Sequence, residues 1–335
     1  MNDSINEAEL SLIAALRDAQ PGFVSGEELA DKLGVSRVSI KSRIDRLKEA
    51  GFEIDAVRRQ GYTLVGEPEA LHPLLLELEL RALGTDIHWI LLEECASTND
   101  EAMRTLTDGA RSPLVVISRK QSAGRGRLGR RWHSDDGGNL MLSFGVRPGK
   151  PPAFMQRFTV WVGLRLAAKL SAYSGVKVKA KWPNDLLIEG RKLAGILTEA
   201  RLDSDRMREL ILGLGLNINS AVDTWPVEVR SIATSLSHAS GRRFSMSAAT
   251  ALVLNELVNA FDDYQNDNID AEMQQLWDEL SAINNQSVTI STYEGAVTGE
   301  VVGIDSTSAL QLRLPTGEIK TYAAGDVSLS GNYQA

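Results

Sequence analysis

The chain has 335 residues, more than one compact domain usually needs, so its length predicts two or three domains. Apolar residues make up 43% and charged residues 24%, which is ordinary for a globular protein and excludes a disordered chain or a fibre. The net charge of −8 excludes nucleic-acid binding through overall charge, so a DNA-binding surface would have to be a local basic patch.

A single cysteine, Cys95, excludes an internal disulfide. The first ten residues, MNDSINEAEL, lack the basic and apolar regions of a signal peptide. No stretch approaches the roughly 20 apolar residues that a membrane span needs. We therefore expect a soluble, cytoplasmic protein with no membrane partner.

The first 66 residues have the pattern of a winged helix-turn-helix. Apolar spacing predicts helices over residues 7–19 and 36–50, and a third between them that starts at a Ser25 capping box and ends at Gly34. Residues 52–65 then predict two strands joined by a turn, which would form the wing.

This segment is basic, unlike the whole chain. Between Lys32 and Arg59 there are 8 Lys or Arg and 4 Asp or Glu, a net charge of +4. A dimerisation module with a solvated basic face is the alternative, but two arginines in the wing favour DNA binding. The residues predicted to contact DNA are Ser36, Arg37, Ser39, Lys41, Ser42, Arg43, Arg46, Arg58 and Arg59.

A linking helix is predicted over residues 67–84, and a larger domain over residues 85–284. Its hairpins follow one another without helices, which predicts an α+β domain with a mixed sheet. The predicted strands cover 88–94, 114–118, 139–146, 176–182, 185–189, 192–201 and 210–218, and the predicted helices 154–173 and 249–280. Short strands and turns over residues 285–335 predict a small β-barrel.

The most informative segment covers residues 121–132, QSAGRGRLGRRW. It contains Gly-x-Gly-x-x-Gly, but the residues that follow do not predict the helix that a dinucleotide site requires, so we reject that interpretation. What remains is a flexible loop in which glycines allow close approach of a ligand and four arginines can neutralise a polyphosphate. A surface loop with solvated charges and another nucleic-acid-binding patch are the alternatives.

Four further segments are weak individually. Each has an ordinary structural explanation, as a helix cap, a hairpin turn or a solvated lysine. They are Ser97-Thr98-Asn99, the Lys-Trp-Pro-Asn-Asp sequence of residues 181–185, the Arg-Lys-x-Ala-Gly-Ile-Leu sequence of residues 191–197, and the Gly-x-Gly-x-Asn-x-Asn sequence of residues 213–219.

Together and in this order, the five segments resemble the biotin protein ligase family. With its N-terminal winged helix and small C-terminal barrel, the whole chain is similar to the bacterial members that also repress the biotin operon. The resemblance implies an α+β multidomain protein. Its parts would be a winged helix-turn-helix (1–66), a linking helix (67–84), a class II synthetase-like mixed-sheet α/β ligase domain (85–284) and an SH3-like barrel (285–335).

The resemblance also implies a role for each matching residue. Biotin would contact Ser97, Thr98, Asn99, Gln121, Arg125, Gly126, Arg127 and Lys192. ATP and the adenylate would contact Gly124, Arg127, Arg130, Trp132, Asn184, Asp185, Gly213, Gly215 and Asn217. The catalytic residues would be Arg127, Asp185 and Lys192, and Asp185 would also hold the metal.

The implied reaction forms biotinyl-5′-AMP from biotin and ATP with Mg²⁺, then transfers biotin to a lysine of the biotin carboxyl carrier protein of acetyl-CoA carboxylase. The other implied partners are operator DNA and a second copy of the chain when the adenylate is bound. Two departures from the family pattern are Leu128, where some members have arginine, and Asp135, where proline is common. A lipoate ligase and a ligand-sensing repressor without catalysis are the alternatives, and the combination of Arg127, Asp185 and Lys192 disfavours a pure sensor.

Overall fold

The structure, a computed structural model, describes residues 5–132, 137–152, 154–267, 269–293 and 295–329. The chain divides into two compact units. Unit 1 is the part up to Asp86 together with Phe244–Ala251, and unit 2 is Ile87–Arg243 together with the part from Leu252 onwards. Within the described ranges, no helix is long and apolar enough to cross a membrane.

Unit 1 contains three helices followed by a two-stranded wing, which confirms the predicted winged helix-turn-helix. Ser25 and Ser36 cap the second and third helices, because their hydroxyls accept hydrogen bonds from the amides of Glu28 and Ser39 at 3.0 and 3.2 Å. The elements are α1 (Glu7–Asp18), α2 (Gly26–Leu33), α3 (Arg37–Glu49), β1 (Glu53–Val57), β2 (Gly61–Gly66) and α4 (Pro73–Ala82).

The linking helix α4 is shorter than the 67–84 predicted. Proline is favoured in the first turn of a helix, and here Pro73 begins α4 after the cap residue His72. Leu75 of α4 is fully buried in the same apolar cluster as Leu16 of α1, so α4 shares the core of the winged helix.

Unit 2 is built on a seven-stranded sheet in the order β3-β4-β5-β9-β8-β7-β6. Only β3 and β4 pair in parallel, so the sheet is mixed, as predicted. Its strands are β3 (His88–Leu92), β4 (Leu114–Ser118), β5 (Asn139–Val146), β6 (Lys179–Lys181), β7 (Asp185–Ile188), β8 (Arg191–Asp203) and β9 (Arg206–Asn217).

The prediction of a strand over residues 176–182 was wrong for its first part, since β6 has only three residues. The amide of Val178 donates to the hydroxyl of Ser171 instead of to a neighbouring strand. The predicted helical stretch 249–280 is likewise two helices. The helices that follow α4 are α5 (Thr98–Thr107), α6 (Phe154–Ser174), α7 (Val227–Arg230), α8 (Leu236–Ser240), α9 (Met246–Gln265) and α10 (Asp270–Leu280).

Helices α5 and α6 cover opposite faces of the sheet. A Cβ added to Gly213 of β9 would lie 2.3 Å from Asn99 of α5, so this face carries α5. Leu214, the next residue of β9, pairs with Ile196, which lies beside Gly163 of α6. Because successive residues of a strand point to opposite faces, α6 must lie on the other side.

The C-terminal part is a five-stranded antiparallel sheet in the order β13-β12-β11-β10-β14. The last strand, β14, was not among the strands predicted from the sequence. No pairing between β13 and β14 closes this sheet within residues 295–329. The strands are β10 (Ser287–Thr292), β11 (Gly295–Ile304), β12 (Leu310–Arg313), β13 (Ile319–Tyr322) and β14 (Asp326–Leu329).

Gly61, at the turn of the wing, allows the packing of the wing against Val24 to be tested. It has φ +115°, and an added Cβ would lie 2.2 Å from the carbonyl oxygen of Val24. We expect Gly61→Ala to destabilise unit 1 by about 3 kcal/mol or more, because both the backbone conformation and the available space forbid a side chain.

Gly34→Ala is the matched control, since Gly34 has φ +63° but no atom within 4 Å of an added Cβ. It should cost only about 1 kcal/mol, the conformational part alone. Hydrogen exchange of the α1–α3 amides in the full chain measures both variants. Equal protection in the two variants would contradict the close approach of Gly61 to Val24.

Candidate active site

The N-terminus of α5 forms one wall of the site. Ser97 is its cap residue but makes no capping hydrogen bond with its side chain, and Thr98 and Asn99 begin the helix. All three are at most 4% exposed. The side-chain oxygen of Gln121 accepts a hydrogen bond from the Thr98 amide at 2.7 Å, which leaves the Gln121 amino group as a donor.

Two polar residues that the sequence analysis missed complete this wall. Ser143 of β5 is fully buried, with its hydroxyl 2.5 Å from Asn99 Oδ1 and 2.7 Å from Thr98 Oγ1. Asn99 Nδ2 donates to the carboxylate of Glu199 on β8 at 2.6 Å. The one signal in the sequence was a serine inside the otherwise apolar strand 139–146.

The glycine–arginine loop folds back on itself. The Gly126 amide donates to the Arg130 carbonyl at 2.7 Å, and the Trp132 amide to the Gly124 carbonyl at 3.0 Å. Between them lies a 3₁₀ turn in which Leu128, 75% exposed, has φ +56°. No α-helix follows the glycines within the described residues up to 132, in keeping with the rejection of a dinucleotide site. Asp135 lies outside the described residues.

The loop arginines have different partners. Arg125 makes a bidentate ion pair with Asp100 at 2.6 and 2.7 Å, and this hydrogen bonding lowers the pKa of Asp100. Arg130, predicted near the adenylate, instead pairs with Asp326 at 2.7 Å. Arg127 donates to Asn184 Oδ1 at 3.1 Å and to the Gly325 carbonyl at 3.3 Å, and burial lowers its pKa.

The turn between β6 and β7 brings a carboxylate to a lysine. Asp185 Oδ1 lies 2.7 Å from Lys192 Nζ. Lys181 lies near this pair, and burial, opposed by the charge of Asp185, lowers the pKa of Lys181. Asn184 donates from Nδ2 to the Ile196 carbonyl at 2.8 Å while accepting from Arg127, so both ends of its amide have protein partners.

The indole of Trp132 packs directly on the backbone of two glycines, Gly195 and Gly215, which form a glycine floor. Gly195 of β8 pairs directly with Gly215 of β9. A Cβ added to Gly215 would lie 2.3 Å from the indole, and one added to Gly195 would lie 3.4 Å from it. Lys192 Nζ is 5.8 Å from the ring centroid. Trp132 was predicted to cover the adenine. In this structure its indole lies instead on the glycine floor formed by Gly195 and Gly215.

Most of the predicted residues line one cavity of about 50 Å³. Ligand pockets usually have about 300–1,000 Å³, so a ligand would have to displace part of the lining. Gly124, Arg130, Asp185 and Asn217 lie outside the lining, and Asn217 Nδ2 donates to the Thr234 carbonyl at 3.0 Å. The lining contains Ser97, Thr98, Asn99, Gln121, Arg125, Gly126, Arg127, Trp132, Asn184, Lys192, Gly213 and Gly215.

Asp185 is the one residue predicted to hold a metal. Among the described residues, no group of three or more His, Cys, Asp or Glu could hold an ion by itself. Mg²⁺ that binds with ATP usually needs only one or two carboxylates, since phosphate oxygens and water supply the other ligands. The Asp185 carboxylate therefore fits an ion that arrives with ATP.

The residues predicted to contact DNA lie on α3 and the wing of unit 1. Arg46 pairs with Glu9 at 2.8 Å, and Arg37 lies 3.8 Å from Glu27. Val38, missed by the sequence analysis, is 80% exposed on α3. The Arg43 guanidinium donates to the Ser39 hydroxyl at 3.3 Å. The remaining predicted residues are exposed: Ser36, Lys41, Ser42, Arg58 and Arg59.

Comparison with protein families gives three matches along the chain. The Biotin/lipoate A/B protein ligase family matches residues 94–217, which include every predicted biotin and ATP residue. An HTH domain matches residues 9–63, and the Biotin protein ligase C terminal domain matches residues 284–330.

Relatives match over nearly the full length. The Bifunctional ligase/repressor BirA of Bacillus spizizenii is 33% identical over 318 residues, 95% of this chain and 97% of that protein. The Escherichia coli protein of the same name is 30% identical over 331 residues, 97% of this chain and 98% of that protein.

Among solved structures, the biotin protein ligase of Aquifex aeolicus in complex with biotin and ATP has a TM-score of 0.61 and 25% identity. The match covers 72% of this chain and 98% of that one. The chain therefore belongs to the biotin/lipoate protein ligase family, and within it to the bifunctional ligase/repressors.

Proposed function

We propose that the chain activates biotin with ATP, transfers it to a lysine of a carrier protein, and represses transcription through its helix-turn-helix. The observation that carries the enzymatic part is the convergence of Arg127 and Lys192 beside a buried polar pocket formed by Thr98, Asn99 and Gln121. A polar pocket can hold the ring of biotin, and the two cations can hold the reacting anions.

In the first step, a carboxylate oxygen of biotin attacks the α-phosphorus of ATP and pyrophosphate leaves. The two reactants are anions, so their approach is opposed by electrostatic repulsion. Lys192 and Arg127 offset that repulsion from fixed positions, which is more effective than solvent would be. Asp185, 2.7 Å from Lys192 Nζ, holds the ammonium group in place.

Mg²⁺, when bound with ATP, would supply charge neutralisation at the phosphate oxygens. Asp185, which pairs with Lys192, would contribute the protein ligand. Trp132 would move from the glycine floor to cover the adenine. Gly213, Gly215 and Asn217 would then line the nucleotide side.

In the second step, the neutral amine of the acceptor lysine attacks the acyl carbon and AMP leaves. Asp185 would orient that amine or take its proton. Until the acceptor arrives, the acyl adenylate must be protected from water, and the folded glycine–arginine loop provides the cover. The acceptor we propose is the biotin carboxyl carrier protein of acetyl-CoA carboxylase.

Residues 1–66 would bind operator DNA, with the wing arginines and α3 contacting the phosphates and groove. Operators of winged helices usually have two-fold symmetry, so we propose that the chain binds as a homodimer formed when the adenylate is bound. The linking part would be residues 67–84 and the ligase domain residues 85–284. The five C-terminal strands, within residues 285–335, would be an SH3-like barrel.

Biotin-dependent exchange between ATP and labelled pyrophosphate tests the enzymatic proposal. Exchange with biotin, and none with lipoate or without an acid substrate, is the expected result. Lipoate-dependent exchange would support the lipoate ligase. Absence of exchange with either acid would support the other alternative, a ligand-sensing repressor without catalysis.

Lys192→Ala should reduce the exchange rate by about 100-fold or more, the usual effect of losing one group that stabilises the transition-state charge. Biotin affinity, measured by calorimetry, should fall by less than about 10-fold, because most of the biotin contacts remain. Lys320→Ala, which removes an exposed lysine of β13, is the control. A wild-type exchange rate in Lys192→Ala would contradict the catalytic role.

Arg127→Gly should allow the adenylate to escape, because Arg127 connects the loop to Asn184 and to the Gly325 carbonyl. We expect biotin on lysines of a bystander protein to increase severalfold over wild type. Arg131→Gly is the matched control, since the Arg131 guanidinium donates to the Ser122 carbonyl within the loop instead of to Asn184 or Gly325. Equal bystander labelling by the two variants would argue against retention by Arg127.

DNA binding should weaken steeply with salt, with a slope of about 0.9 for each phosphate contact. Replacing Arg58 and Arg59 by alanine should reduce that slope by about 2. Arg206→Ala, an exposed arginine of unit 2, should leave the slope unchanged. If the variant that lacks Arg58 and Arg59 kept the wild-type salt dependence of DNA binding, the wing would not contact DNA phosphates.

A further inference from the structure

Glu199 lies at the end of the biotin pocket without an assigned role. Its carboxylate accepts from Asn99 Nδ2 at 2.6 Å and lies 3.4 Å from an Arg125 nitrogen. Its side chain is 39% exposed, so the surrounding fold does not depend on its packing. Glu199 therefore joins two residues expected to contact biotin, one from α5 and one from the loop.

The hydrogen bonds of this pocket can be assigned a direction. The Asn99 oxygen can only accept, so the Ser143 hydroxyl, 2.5 Å away, must donate its one proton to it. The Thr98 hydroxyl has one proton of its own, which it can donate to the Ser143 oxygen at 2.7 Å or to Gln121 Oε1 at 3.1 Å. The Gln121 oxygen already accepts from the Thr98 amide, so the Gln121 amino group is presented as a donor.

Glu199 fixes the start of this chain of donors and acceptors. A carboxylate is only an acceptor, so it requires the amino end of Asn99 to point toward it and the oxygen end toward Ser143. The second acceptor for Asn99 Nδ2 is the Leu197 carbonyl at 3.3 Å, a longer and weaker contact. Without Glu199, rotation of the Asn99 amide would reverse the pattern.

We propose that Glu199 is a positioning residue that sets the donor and acceptor order of the biotin pocket through Asn99. A cyclic urea has one carbonyl acceptor and two N–H donors, and it needs a pocket with a fixed pattern of partners. A dithiolane ring makes no such demand. This inference rests on the proposed ligase function and assigns part of its selection of a urea substrate to Glu199.

The variants Glu199→Ala and Glu199→Gln separate the possible roles. Glu199→Ala removes the acceptor, and the KM for biotin in the exchange assay should rise about 10-fold or more while kcat stays within about 3-fold. Glu199→Gln keeps a side-chain oxygen that can accept from Asn99, so it should restore the KM to within about 3-fold of wild type. Equal increases for both variants would exclude hydrogen-bond positioning.

A double-variant comparison shows whether Glu199 acts through Asn99. In an Asn99→Ala background, adding Glu199→Ala should change the KM for biotin by less than about 2-fold, because the residue to be oriented is gone. A full 10-fold effect in that background would overturn the proposal. Equal melting temperatures across the set exclude a general loss of structure.

Different results would reject the proposed ligase function and the positioning role of Glu199. A wild-type chain without biotin-dependent exchange would reject the proposed function itself. A wild-type chain that exchanges normally, with a Glu199→Ala variant of unchanged KM for biotin, would reject only the positioning role.

Discussion

The antiparallel pairing of β8 with β9 is the constraint on which the site depends. The register that opposes Gly195 to Gly215 also opposes Leu197 to Gly213 and Glu199 to Ile211. Because side chains alternate between the faces of a sheet, a shift of β8 by one residue would move Gly195 and Glu199 to the face that carries α6. The pocket wall, its floor and the support for Arg125 are therefore consequences of one register.

The sequence predicted elements well where their signals are local. The caps of α2 and α3 lie within a few residues of the helices that they begin, so the winged helix could be recognised from one short segment. Strand β6 was predicted too long because its apolar residues have the pattern of a strand. The contact that shortens it, from Val178 to Ser171, depends on how the preceding helix packs.

The residues of the candidate site also divide into those with a local signal in the sequence and those without one. The residues near Arg127 and Lys192 were found because they stand in compact motifs with glycine or proline neighbours. Ser143 and Glu199 were not found, because each matters only through a partner about 44 or 100 positions away in the chain. No local pattern distinguishes such a residue from an ordinary strand residue, and only the register of the sheet brings the partners together.

Trp132 gives the site an optical reporter. Its indole packs on the backbone of two glycines, and its buried Nε1 has no hydrogen-bond partner among the described residues. Trp161 and Trp277 are by contrast buried, with side chains at most 1% exposed. The emission of an indole depends on the polarity and hydrogen bonding around it. Displacement of Trp132 from the glycine floor by a substrate would therefore change its fluorescence, and binding could be followed without a label.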